Sequence, residues 1–186
     1  MKTTYARMVV VALCTLVVGL FLAVGAQAAT KAEINASVKA ANDRFIKDVK
    51  GAGEYLKSAK GVLVMPNITK AGFLVGAQYG TGALQVGGKT VDYYSLAGAS
   101  FGFQAGAEKF DMIILFITDE ALSKFRNSKG WEAGVDAEVT MIKAGTDVSL
   151  ETLRSQAPVV GFVIDQKGLM GGVSVKGAKF TRTQPK

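Results

Sequence analysis

The chain has 186 residues, with 22 basic and 15 acidic side chains, a single cysteine and no histidine. The absence of imidazole excludes the commonest general base and metal ligand, and one cysteine, Cys14, cannot form an internal disulfide. The formal net charge of +7 favours anionic partners such as lipid headgroups, although a solvated basic surface without a partner has the same composition.

Residues 1–28 have the pattern of a secretory signal peptide. Lys2 and Arg7 supply the basic start, residues 8–24 form an uncharged apolar run, and Ala26-Gln27-Ala28 is a small-x-small cleavage site. We expect cleavage after Ala28, which would place the thiol-free domain 29–186 in the periplasm or outside the cell, free or held at a membrane surface. The alternative is an uncleaved membrane anchor, because the apolar run is nearly long enough to span a bilayer.

The domain begins with two predicted helices within 29–59. Thr30 followed by Glu33 predicts a capping box at the start of a helix over 30–50. Apolar residues then recur every three or four positions, as in an amphipathic helix; they are Ile34, Val38, Ala41, Phe45 and Val49. This stripe is suited to covering one side of a sheet, or alternatively to lying in a membrane interface. A second, short helix is predicted over 54–59.

From residue 60 the pattern changes to that of a β core. We expect strands near 61–65, 72–86, 89–96, 98–107, 110–117, 134–143, 159–165 and 169–182. Gly87-Gly88 predicts a two-residue hairpin turn, and Thr118 predicts the cap of a short helix over 119–125. A polar connection is expected over 144–156. This order of elements predicts one α+β domain with a mostly antiparallel sheet.

Three glycines four residues apart, Gly72, Gly76 and Gly80, lie on one face of a predicted strand. A face without side chains suits a tightly curved sheet, or one that another backbone approaches closely.

Three segments resemble a bacterial SYLF domain: AKGVLVMPNITKAGFLVGAQYGTGAL from Ala59, YYSLAGASFGFQAGAEKFDMIILFITDEALSKFRNSKGWEAGVDA from Tyr93, and APVVGFVIDQKGLMGGVSVKGAKFTR from Ala157. The resemblance implies a strongly curved, β-barrel-like core with about three helices packed on its surface. It also implies lipid binding, because eukaryotic members of the family bind phosphoinositides and, in some cases, actin.

We expect no catalytic residue, cofactor or metal, and therefore no enzyme. Asp119 and Glu120 lie in the first turn of a predicted helix, where carboxylates complement the helix dipole. Asp136 and Glu138 share one strand face, and no nucleophile elbow, phosphate loop or metal-spaced cluster is present.

Two groups of residues are the candidate contacts to anionic lipid headgroups, phospholipid or phosphoinositide-like. The first comprises Lys57, Lys60 and Lys70, with the segment 65–68 offering apolar tips beside Lys70 in a predicted loop. The second comprises Lys124, Arg126 and Lys129, followed by Trp131, a residue type that favours the headgroup level of bilayers.

We therefore predict an exported module that binds anionic lipid weakly. The alternative is a structural or protein-interaction component of the cell envelope, suggested by the apolar strand that carries Phe101 and Phe103. We see no nucleic-acid recognition motif and expect no nucleic-acid partner.

Overall fold

A computed structural model describes residues 29–143, 149–168 and 175–186, and within these ranges it leaves out the side chains of 73–75 and 100–105, among others. The predicted leader 1–28 lies outside the described residues. The helices are α1 (Lys31–Asp48), α2 (Ala52–Ser58), α3 (Asp119–Asn127) and α4 (Leu150–Gln156). The strands are β1 (Gly61–Val86), β2 (Lys89–Phe116), β3 (Trp131–Glu132), β4 (Thr140–Lys143), β5 (Val159–Gly168) and β6 (Lys179–Thr183).

Helix α1 has the predicted capping box. The Thr30 hydroxyl accepts a hydrogen bond from the Glu33 backbone N–H at 3.3 Å, and the Thr30 N–H donates to Glu33 Oε2 at 2.7 Å. The predicted apolar stripe is buried, and the Phe45 ring lies 5.0 Å from the ring of Phe162 in β5. The stripe of α1 therefore covers one side of the sheet, as the first of the two predicted roles requires.

Five strands were expected between 61 and 117. The structure has two long strands there, β1 and β2, which form one antiparallel hairpin. Pairing runs from Gly61 opposite Phe116 to Val86 opposite Lys89, and the predicted turn at Gly87-Gly88 closes it. A straight strand of 26 residues would be roughly 86 Å long, about twice the width of a domain of this size. The hairpin must therefore bend, and register shifts interrupt its pairing in three places.

The glycines of β1 allow the second half of this strand to lie against the first. An added Cβ at Gly80 would lie 2.9 Å from Ile68 Cγ1, and one at Gly82 would lie 2.0 Å from the Val64 carbonyl oxygen. At Gly80, the described member of the predicted glycine row, the bare face thus accompanies a close approach within a strongly curved sheet.

The sheet has the order β3-β6-β2-β5-β4, with β1 pairing along β2. Among the described strands, every pair is antiparallel except β4 with β5. The result is a mixed α+β fold, a strongly curled half-barrel sheet that carries helices on its surface, which confirms the predicted fold class.

Three predicted segments differ from the structure. The connection expected over 144–156 contains α4, whose first turn is capped by Ser149 Oγ accepting from the Thr152 N–H at 3.1 Å. The strand expected over 134–143 is reduced to β4, because Asp136 closes a turn by accepting from the Glu132 N–H at 2.6 Å. Of the strand expected over 169–182, residues 169–174 lie outside the described residues and regular pairing begins at Lys179.

Within the described ranges, no helix combines the length and the apolar character that crossing a bilayer requires.

Candidate functional site

Helix α3 is held on the half-barrel by a cluster of aromatic rings. Thr118 caps the helix by accepting from the Ala121 N–H at 3.1 Å, and the buried face of the helix carries Phe125. The Phe125 ring lies 4.6 Å from the rings of both Tyr94 and Phe116. This packing fixes the rotation of the helix, so that Arg126, the next residue, faces solvent.

A cleft of about 420 Å³ lies between α3 and β6, and we call it the arginine cleft. It is lined by Asp119, Leu122, Ser123, Arg126, Asn127 and Arg182. The two arginine side chains are each a little under half exposed. Their guanidinium groups are therefore fixed by the fold and still open to a ligand.

Asp92 of β2 holds the two arginines together. Its Oδ2 lies 3.3 Å from Arg126 Nη2, and its Oδ1 lies 3.5 Å from Arg182 Nε. Arg182 Nη2 also donates to the Arg126 carbonyl oxygen at 2.7 Å. One carboxylate thus positions two cations but, at these separations, neutralises them only in part.

The Arg182 guanidinium also lies over the Tyr94 ring, with its Cζ 6.0 Å from the ring centroid. Burial raises the pKa of Tyr94 above its usual value near 10. The phenol is therefore neutral at physiological pH and adds no negative charge to the arginine cleft.

Four of the other predicted basic residues lie at the surface. Lys60 pairs with Asp119 at 3.1 Å, which brings it from the first predicted group to the edge of the arginine cleft. Lys124 pairs with Glu120 along the helix at 2.8 Å. Lys57 and Lys129 are exposed. The two predicted groups therefore meet in part, through Lys60 and Arg126.

Two predicted lipid contacts are buried, so the structure does not support a surface role for them. Lys70, expected in a loop, lies within β1 opposite Glu108 and is 3 % exposed. Lys70 lies on the same face of β1 as the row of glycines, and this face points into the curled sheet. Trp131 is 2 % exposed, and its ring lies 5.4 Å from that of Phe125 in the aromatic cluster.

The apolar side chains of segment 65–68, which were expected to project from a loop, are also buried. Met65 and Ile68 are fully buried, and the segment is a bulge within β1 rather than an exposed loop. Asn67 takes a positive φ of 51° there, and its N–H donates to Asp111 Oδ1 at 2.8 Å.

Sequence reasoning found Arg126 but missed Arg182 and Asp92. Arg182 reaches the site because β6 pairs with β2, which places it opposite Tyr94, 88 positions earlier in the chain. Such pairing leaves no local pattern. The polar residues on either side of Phe180 were the only signal that this strand is partly open to solvent, and they do not single out Arg182.

The chemistry of the arginine cleft is that of anion binding. Guanidinium groups donate several hydrogen bonds in a fixed fork and do not lose their proton, which suits phosphate. Across the described ranges, no three acidic side chains lie together as a metal site would require.

Comparisons with known proteins identify relatives of this chain. A family model described as "Ysc84: Las17-binding protein actin regulator" matches residues 97–185, a region that includes both arginines. The human SH3 domain-containing YSC84-like protein 1 is 31 % identical over 131 residues, covering 66 % of this chain and 37 % of the human protein. LAS seventeen-binding protein 3 of Saccharomyces cerevisiae is 29 % identical over 154 residues, covering 79 % of this chain and 33 % of the yeast protein. The matched part thus spans about a third of these curated relatives.

Proposed function

Because the chain belongs to the Ysc84/SYLF domain family, in which lipid binding is a family property, we propose that it binds anionic lipid headgroups through the arginine cleft. The observation that carries the proposal is the convergence of Arg126 and Arg182 on Asp92, beside an open cleft of about 420 Å³. The Las17 and actin terms describe the matched family and its relatives, and we do not extend them to this chain.

The position of the two arginines supports binding to a phosphate group. The Arg126 carbonyl oxygen occupies one Arg182 donor, and Asp92 lies at ion-pair distance from both guanidinium groups, which holds the two groups in place. The remaining N–H groups are presented to the cleft in an arrangement that requires little reordering on binding, and such pre-organisation lowers the cost of association. Nearby basic side chains add attraction that salt will screen.

We expect the double substitution R126Q/R182Q to weaken binding to phosphatidylglycerol vesicles roughly thirtyfold. Each basic residue near an anionic surface contributes on the order of 1 kcal/mol, and every 1.4 kcal/mol is a factor of ten. The measurement is co-sedimentation with phosphatidylglycerol and with phosphatidylcholine vesicles, at low and at high salt.

The matched control is K39Q/K89Q, which removes the same charge from two exposed sites on α1 and at the start of β2. Asp92→Asn is expected to tighten binding to phosphatidylglycerol vesicles, the opposite of the effect of R126Q/R182Q, because it removes the anion that competes for both arginines. Equal losses for the two double variants would show that net charge, and not this cleft, attracts the membrane.

We further propose that the domain binds without chemical turnover, since the Ysc84/SYLF family is generally non-catalytic. A role as a structural or protein-interaction component of the envelope remains a prediction from sequence. It rests in part on the side chains of Phe101 and Phe103, which lie outside the described residues.

Export is also a proposal, and it is supported by the leader pattern of residues 1–28 alone. Expression of the full chain with its leader in a Gram-negative host is expected to give a periplasmic product whose first residue is Ala29. Cell fractionation and amino-terminal sequencing test this directly. A product that keeps Met1 and remains in the membrane fraction would indicate the uncleaved anchor instead.

A further inference from the structure

A second groove lies where the start of α1 meets both halves of β1, and we call it the Tyr79 groove. Its polar side chains are Glu33, Ser37, Asn67, Thr69, Tyr79 and Thr81, and its volume is about 190 Å³. The rest of its described lining is apolar or backbone, from Ala29, Ile34, Pro66 and Gly80. None of these residues lines the arginine cleft, so an inference from this groove is independent of the proposed function.

The side chains of this groove do not suit an anion. Among the described residues, no lysine or arginine lines it, and the one carboxyl group belongs to Glu33. Hydrogen bonds from the backbone and hydroxyl of Thr30 hold the pKa of Glu33 below its usual value. The groove therefore contains a carboxylate at neutral pH, together with hydroxyl and amide groups that donate as well as accept.

Tyr79 provides an aromatic face at the edge of this polar wall. Its side chain is 61 % exposed, although large aromatic residues are usually well buried. It lies in the same outward-facing row of β1 as Thr81, so a ligand placed on the ring is within reach of strand hydroxyls. An aromatic ring has a negative face that attracts the positively polarised C–H groups of a ligand.

We propose that the Tyr79 groove binds one ring of a neutral sugar. The C–H face of the ring stacks on Tyr79, and its hydroxyls donate to Glu33 and exchange hydrogen bonds with Asn67 and the threonines. Both bonds from Thr30 end on Glu33 Oε2, which leaves Oε1 as an acceptor for a sugar hydroxyl. The small volume limits the bound part to a single ring, because pockets for larger ligands occupy several hundred Å³.

Ligand-observed saturation-transfer NMR on the full chain tests this inference, with glucose, N-acetylglucosamine and maltose as probes. Glycerol and inorganic phosphate are the negative probes, since the first lacks a ring and the second is anionic. We expect transfer to the ring C–H protons of at least one sugar, with a Kd on the order of 1 mM, as few contacts allow.

Tyr79→Ala is expected to weaken this binding roughly tenfold, and Tyr79→Phe to retain most of it, because the ring and not the hydroxyl supplies the stacking face. R126Q/R182Q should leave sugar binding unchanged. The far-ultraviolet circular dichroism of Tyr79→Ala should match that of the parent, because the residue is exposed. Absence of transfer to all three sugars, or equal transfer in Tyr79→Ala and the parent, would overturn the inference. Loss of vesicle binding in Tyr79→Ala without any sugar binding would assign the groove to the membrane instead.

Discussion

Replacing Gly82 with alanine is expected to lower the free energy of unfolding by about 3 kcal/mol or more. The added Cβ would lie 2.0 Å from the Val64 carbonyl oxygen and 2.9 Å from Met65 Cα. Both contacts are with backbone, so no side-chain rotation can relieve them, and the two halves of β1 must separate. Overpacking of a core costs about 1–3 kcal/mol, and backbone clashes lie at the upper end.

Gly53→Ala is the matched control, since it adds the same methyl group elsewhere in the chain. No atom lies within 4 Å of a Cβ at Gly53, which belongs to α2. Alanine is the better helix former by up to about 1 kcal/mol, so this variant should be as stable as the parent or slightly more stable. Urea unfolding followed by circular dichroism measures the free energy of unfolding of both variants. Similar midpoints for the two variants would mean that the halves of β1 are not in contact in solution.

Elements with a local signal were predicted well from the sequence. The capping box at Thr30, the stripe of α1 and the Gly87-Gly88 turn depend on residues within one or two turns of each other. The continuity of β1 was missed because Pro66 lacks an N–H and is typical of a strand end. In the structure β1 continues through Pro66 because a bulge forms there, and Asp111 of β2 accepts the Asn67 N–H at this bulge.

The candidate site was predicted less well, for a related reason. Residue type suggested Lys70 and Trp131 as surface residues, the first by its charge and the second by the preference of tryptophan for lipid headgroups. Exposure depends instead on which strand face turns inward in the curled sheet. Arg182 entered the site only through pairing of β6 with the distant β2. Sequence patterns therefore identified residue types that bind anions, and the long-range pairing decided which of them meet.

Asp111→Ala is expected to cost about 3 kcal/mol, because one buried carboxylate connects three elements. Asp111 is 2 % exposed, and its Oδ2 accepts from Arg44 Nε at 2.7 Å and lies 2.6 Å from Arg44 Nη2. Its Oδ1 accepts the N–H of Asn67, which holds the bulge of β1. Removing one partner of a buried pair leaves the other uncompensated, at a cost of about 3–5 kcal/mol. Solvent and Asp165, 3.5 Å from Arg44 Nε, relieve part of this cost.

Asp43→Ala makes the same chemical change in an exposed pair. Asp43 accepts from Lys39 at 2.8 Å on the surface of α1, and both side chains are largely exposed. Such pairs contribute less than about 1 kcal/mol, so this variant should unfold close to the parent in urea. In the double variant R44M/D111A the loss should be smaller than the sum of the two single losses, because each single change already breaks the shared interaction. Additive losses, or equal losses for Asp111→Ala and Asp43→Ala, would show that α1 is held by its apolar stripe alone.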